Sequence, residues 1–163
     1  MRRAWLVSSM LVALAGCGEP KWVYAPVRTT SAELAPDVEQ SIYRVDPGEV
    51  RVATRGIVKL ERGDLAVRAV VVEITVANRS RETWTLSGSD QRLFAGKDVF
   101  AASSDMLGAP PSFVVPPGAV RVIDLDFPIP PGYVLGPFAV VWTLHDHGMI
   151  TTQRTAFRPF LEP

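Results

Sequence analysis

The stretch Leu65-Ala66-Val67-Arg68-Ala69-Val70-Val71-Val72-Glu73-Ile74-Thr75-Val76 is the longest apolar run beyond the first sixteen residues. β-Branched side chains dominate it, and these pack well on a pleated surface, so the run is a strand rather than a helix. Two apolar sets interleave along it. Leu65, Val67, Ala69 and Val71 share one face, and Val70, Val72, Ile74 and Val76 share the other. Arg68 and Glu73 have opposite parity, so a regular strand would turn one of the two charges inward. The expectation is a β-bulge near residues 69–71 that lets both face water.

The same period of two extends in both directions. Upstream, Val50 and Val52 and then Ile57, Val58 and Leu60 are separated by charges and by Gly56. Downstream, Asn78-Arg79-Ser80-Arg81 is a turn, and Trp84 and Leu86 alternate with threonines. Ala95-Gly96-Lys97-Asp98 joins Leu93-Phe94 to Val99-Phe100 as a hairpin turn. Pro116-Pro117-Gly118 and Pro130-Pro131-Gly132 bracket a strand that turns Ile123, Leu125 and Phe127 inward and Asp124 and Asp126 outward. Phe138, Val140, Trp142 and Leu144 form another inward face, and Asp146-His147-Gly148 turns the chain into a last strand, Ile150 to Phe157. Fourteen prolines and twelve glycines fall between these apolar runs rather than within them. The pattern predicts an all-β fold over residues 46–163, an antiparallel β-sandwich of about seven to nine strands.

The strand ending "ITVANRS" (residues 74–80) followed by "VVPPGAVRVIDLDFPIP" (residues 114–130) resembles the Ig-like (telokin-like) domains of bacterial surface lipoproteins. There an Asn-x-Ser turn follows a core strand, and a Pro-Gly turn precedes a strand ending in Phe-x-Ile/Val-Pro. The resemblance covers residues of about 50–157. It implies fold and location, and no chemistry.

The N-terminus supplies an address. Arg2 and Arg3 precede an apolar segment, residues 4–14, which is too short for a bilayer core of roughly 30 Å that needs about 20 apolar residues. Charged start, apolar middle and small residues at the exit are the anatomy of a secretory signal over residues 1–16. It ends Leu14-Ala15-Gly16-Cys17, which resembles the lipobox of bacterial lipoproteins. The resemblance implies that the Cys17 thiol takes a diacylglycerol, that cleavage precedes it, and that its new amino group can be acylated. Two or three acyl chains give stable anchoring where one gives only marginal binding, roughly 10⁴ M⁻¹. Cys17 is the only cysteine in the chain. A periplasmic protein is free to use disulfides, and this one has no second cysteine to pair, as expected if the thiol exists to be modified. Gly18 follows it where an aspartate would resemble an inner-membrane retention signal. By that analogy the destination is the outer membrane, facing the periplasm.

Residues 17–45 read as the lipidated N-terminus and a tether. Lys21 to Ala25 is a candidate short strand, and Ser31 to Ala35 a candidate helical turn capped by Ser31. A flexible tether of about 25 residues would span roughly 28 Å.

Composition narrows the function. Seventeen basic residues balance seventeen acidic ones, so no global field favours nucleic acid. Both histidines lie in Leu144-His145-Asp146-His147-Gly148-Met149. On an extended strand His145 and His147 would point the same way, and a three-residue turn would set Met149 opposite His145. Such a set suits zinc or copper, so a metal carrier is the alternative reading. Asp146 and Gly148 are also ordinary turn residues. Ser103-Ser104-Asp105 shows no Gly-x-Ser-x-Gly elbow, and both histidines sit at one turn, so no hydrolase is expected. Asp124 and Asp126 read as solvent-facing charges. No cofactor-binding motif is found. The expected partners are the membrane, through the anchor, and another envelope protein. The polar loop from Ser103 to Ser112, with Ser104, Asp105 and Met106, is the predicted contact segment.

Overall fold

The computed structural model describes residues 22–27, 33–34, 40–62, 65–103 and 112–161. They form an all-β sandwich of two antiparallel sheets. The strands, in chain order, are β1 (Trp22–Pro26), β2 (Glu33–Leu34), β3 (Gln40–Val45), β4 (Gly48–Arg62), β5 (Leu65–Asn78), β6 (Trp84–Ser87), β7 (Arg92–Ala95), β8 (Asp98–Ala101), β9 (Ser112–Val115), β10 (Val120–Ile129), β11 (Phe138–Asp146) and β12 (Met149–Leu161). A 3-10 turn, Gly88–Asp90, separates β6 from β7. One sheet runs β1-β12-β11-β6-β9, with β7 also on β11 and β8 on β7. The other runs β10-β5-β4-β3-β2.

The twelve strands exceed the seven to nine expected because short segments at the sheet margins also pair. Three of these, β1, β2 and β3, lie in the stretch read from the sequence as tether. β1 is hydrogen-bonded along β12, and β3 along β4, with Tyr24 and Tyr43 in the core. The described part of residues 17–45 thus pairs into the sheets, including a strand at Trp22–Pro26 where Lys21 to Ala25 was the candidate. The helical turn expected at Ser31–Ala35 is also not formed where it is described, since Glu33 and Leu34 pair with Ile42 and Ser41.

The expected bulge falls on the neighbouring strand. β5 pairs with β10 from Arg68 to Ala77 without a shift. The irregularity lies in β4, where Thr54 faces Val72 and Gly56 faces Val71, leaving Arg55 as the extra residue. Gly56 takes a φ of +70°, which other residues rarely adopt. The Thr54 hydroxyl ties the distortion together, donating to the Val71 carbonyl at 2.9 Å and accepting from the Gly56 amide at 3.0 Å. β5 needs no bulge because Arg68, although of core parity, sits at the rim and donates to the Tyr133 carbonyl at 3.3 Å. Long cationic side chains reach out of an apolar margin in this way.

The core between the sheets contains Val70, Val72, Ile74 and Val76 from β5, Ile123, Leu125 and Phe127 from β10, and Trp142 and Leu144 from β11. Burial of each such side chain stabilises by roughly 1.5–3 kcal/mol against conformational entropy of similar total size. A polar lock crosses the core. The Tyr43 hydroxyl is 2.7 Å from Thr155 Oγ1, the Trp142 indole donates to the same oxygen at 3.2 Å, and the two rings meet edge to face at 5.1 Å. At one end Trp84 lies over Gly48, where a Cβ would collide with the indole and with the Ala77 carbonyl.

Candidate functional site

The two ends of the sandwich differ in character. One carries the β11–β12 hairpin with both histidines. The turn is tighter than expected: two residues, His147 and Gly148, with φ of +36° and +91°. Positive φ at both central positions matches the twist of a two-residue hairpin. Asp146 therefore faces Met149, and His145 faces Ile150. Opposed residues share a sheet face and successive residues alternate, so His145 and Met149 lie on opposite faces of the hairpin. The arrangement expected from the sequence, with Met149 opposite His145, is not formed.

The imidazoles engage different neighbours. His145 Nε2 is 2.8 Å from Asp90 Oδ2, which the 3-10 turn carries to it. His147 is at the exposed tip, with Nδ1 3.6 Å from Glu82 Oε2. Among the described residues no three His, Cys, Asp or Glu side chains converge as a metal site. Beneath the hairpin, Asp146 opposes Trp84 in the β6–β11 pairing. Their Oδ1 and Nε1 atoms are both buried and have no hydrogen-bond partner among the described residues.

Asp124 and Asp126 lie on the outer face of β10. The guanidinium of Arg55, set on that face by the β4 bulge, reaches both Asp124 at 3.2 Å and Glu73 at 3.1 Å. Its hydrogen bond to Glu73 and the charge of Asp124 raise the Arg55 pKa. Burial and the charge of Asp124 push the Asp126 carboxyl up, against a smaller opposing pull from Arg55. Further along the same face an open groove of about 370 Å³ runs past Gln40, Glu49, Arg51, Thr75 and Arg79. Its Arg51 is paired with Glu49.

The opposite end carries the segment Pro130–Pro137, which passes from β10 to β11 between the two sheets. Its sequence, Pro-Pro-Gly-Tyr-Val-Leu-Gly-Pro, contains no charged residue. It is held at several points. Tyr24 of β1 donates to the Leu135 carbonyl at 3.0 Å, and Arg68 of β5 donates to the Tyr133 carbonyl. The Tyr133 hydroxyl donates to Asp98 Oδ2 at 2.9 Å, and its ring packs edge to face on Phe100 at 5.3 Å. Desolvation raises the pKa of both tyrosines, so their hydroxyls remain protonated donors. An open groove of about 360 Å³ separates the segment from the β7–β8 turn. Sequence reasoning passed over this end. The available signal was an eight-residue loop without a charge.

Of the predicted contact loop, Ser103 is half-buried and its amide donates to the Asp126 carbonyl at 2.7 Å, an isolated bridge to the outer edge of β10. Ser104, Asp105 and Met106 lie outside the described residues, as does Cys17.

No known family model matches the chain, and no curated protein matches it at a significant level.

Proposed function

We propose that the protein is a lipid-anchored, non-enzymatic lipoprotein of a bacterial envelope, whose β-sandwich serves as a binding or structural module on the periplasmic side of the outer membrane. The observation that carries this reading is the position of the lone cysteine. Cys17 ends a Leu-Ala-Gly-Cys stretch after a short apolar segment, and the first strand of the sandwich starts five residues later at Trp22. An acylated Cys17 would thus be joined almost directly to a rigid body. The Ig-like (telokin-like) assignment of the sandwich belongs to the same proposal. Its support is the Asn78 turn, where the side chain donates to the Glu82 and Val115 carbonyls and accepts from both Ser80 donors. The non-enzymatic reading rests on the sequence, where Ser103-Ser104-Asp105 shows no Gly-x-Ser-x-Gly elbow. The partner is another envelope protein, met through the loops or the edge strand β10.

Mass spectrometry of the native protein tests the reading. The expected first residue is Cys17 carrying fatty acyl chains. An unmodified Cys17, or a mature chain that begins elsewhere, would overturn it.

A further inference from the structure

The anchor and the uncharged loop meet at the same end of the sandwich. β1 runs antiparallel to β12 with Trp22 opposite Leu161, so its first residue lies at the far end of β12 from the His147–Gly148 turn. The 13 residues of β12 place that turn roughly 40 Å from Trp22 at about 3.3 Å per residue. The five residue steps from Cys17 to Trp22 reach at most about 18 Å. A lipid on Cys17 therefore holds Trp22 near the headgroups and allows the histidine hairpin to stand away from them.

The surface beside Trp22 suits that neighbour. Two residues on, Tyr24 binds the Leu135 carbonyl directly, which sets Val134 within one side chain's reach of β1. Val134 is 88% exposed, the most exposed large apolar residue described. It stands on a loop fixed by Tyr24, Arg68 and Asp98. Across the groove is Lys97, exposed and without an ion pair among the described residues, while the nearby Asp98 carboxylate is occupied by Tyr133. A rigid apolar tip beside a free cation is the surface chemistry of an interfacial contact with lipid.

We infer that the end of the sandwich formed by residues 130–137 and the β7–β8 turn rests on the bilayer, with Val134 in the headgroup region and Lys97 against lipid phosphates. The inference rests on the anchored reading and adds an orientation to it: the hairpin end and the Asn78 turn are presented outward, to partners.

The test uses the full acylated chain in vesicles of phosphatidylethanolamine and phosphatidylglycerol that carry a nitroxide on their headgroups. Acylation consumes the Cys17 thiol, so V134C and M149C each take a single environment-sensitive fluorophore, and both positions are exposed enough to spare the core. The position-134 probe is expected to lose at least half of its fluorescence to the nitroxide, and the position-149 probe to lose none. Acylated, vesicle-bound protein with an unquenched position-134 probe overturns the inference and leaves the anchored reading standing. Equal quenching at both positions overturns it in favour of a molecule lying on its side. A position-134 probe that lipid does not quench but that shifts to the blue at high protein density overturns it in favour of contact between copies. Absence of acyl chains from Cys17, read by mass spectrometry on the same sample, overturns both.

Discussion

The side-chain amide of Gln91 takes the place of a peptide group opposite Thr143. Gln91 Oε1 accepts the Thr143 amide at 2.9 Å, and Gln91 Nε2 donates to the Thr143 carbonyl at 3.0 Å and to the Ser87 carbonyl at 2.7 Å. The reason lies in the register. β6 and β7 follow one line along β11, but Val141 faces Arg92 where an unbroken strand would present Ser89. The extra residues form the 3-10 turn, and the fully buried Gln91 side chain closes the gap they leave in the ladder.

Replacing Gln91 with alanine would orphan the buried Thr143 amide and carbonyl. The expected loss is about 2–6 kcal/mol, since each of the two unsatisfied buried groups costs about 1–3. Urea denaturation should show a lower midpoint with an unchanged slope. Gln91→Glu should be worse at neutral pH than in acid, because its carboxylate would face two carbonyls. A Gln91→Ala variant as stable as the parent would show that water replaces the amide at no cost.

Gly48→Ala places a methyl group against the Trp84 indole and the Ala77 carbonyl. Neither is the loose end of a flexible chain, so overpacking should cost about 1–3 kcal/mol and perturb the near-ultraviolet circular dichroism of Trp84. Gly136→Ala is the control, because nothing lies within 4 Å of its added Cβ. It should be neutral or slightly stabilising through the unfolded chain. Equal melting temperatures for the two variants would remove the steric argument.

Asp126 sets the sign of a pH dependence. Its folded pKa is raised, first by burial and then by Asp124. Ionisation is thus harder in the folded chain than in the unfolded one. The cost to stability is full above the folded pKa and is relieved as pH falls through it towards the unfolded value. Asp126→Asn should stabilise at neutral pH by on the order of 0.5 kcal/mol, with the gain vanishing in acid. Arg55→Ala should act in the opposite sense, losing up to about 1 kcal/mol at neutral pH and little once the carboxylates are protonated. Denaturation midpoints across the acid range decide both, and a gain for Asp126→Asn that grows in acid would contradict the assignment.

The hairpin geometry predicts the outcome of a metal titration. His145 and Met149 occupy opposite faces, and His145 already contacts Asp90. Zinc or copper added to the purified protein should give no saturable heat and no shift of the imidazole resonances at stoichiometric metal. A one-to-one binding heat that His145→Ala abolishes would restore the metal-carrier reading.

How far the sequence could be read varies from element to element. The alternation in Val120–Ile129 placed Ile123, Leu125 and Phe127 in the core, where they lie. Trp84, Leu86, Trp142 and Leu144 followed the same rule. The β4 bulge was also written in the sequence, though it was sought in β5. Val50 and Val52 have one parity and Ile57 the other, with Arg55-Gly56 between them, so the change of phase belonged to β4. The hairpin was misread by one residue, and with a period of two that single step moved Met149 to the other face from His145.

By itself, then, the sequence determined the all-β class, the buried faces of β6, β10 and β11 and most of the turns between the long strands. Side-chain alternation and backbone restriction at proline and glycine act within a few residues. The tertiary structure alone decided which strands are neighbours, that Gln91 stands in for a missing strand segment, and that the charge-free loop at Val134 shares an end with Trp22. Those relationships join residues separated by tens of positions in the chain, as Tyr24 is from Leu135, and no local periodicity carries that information.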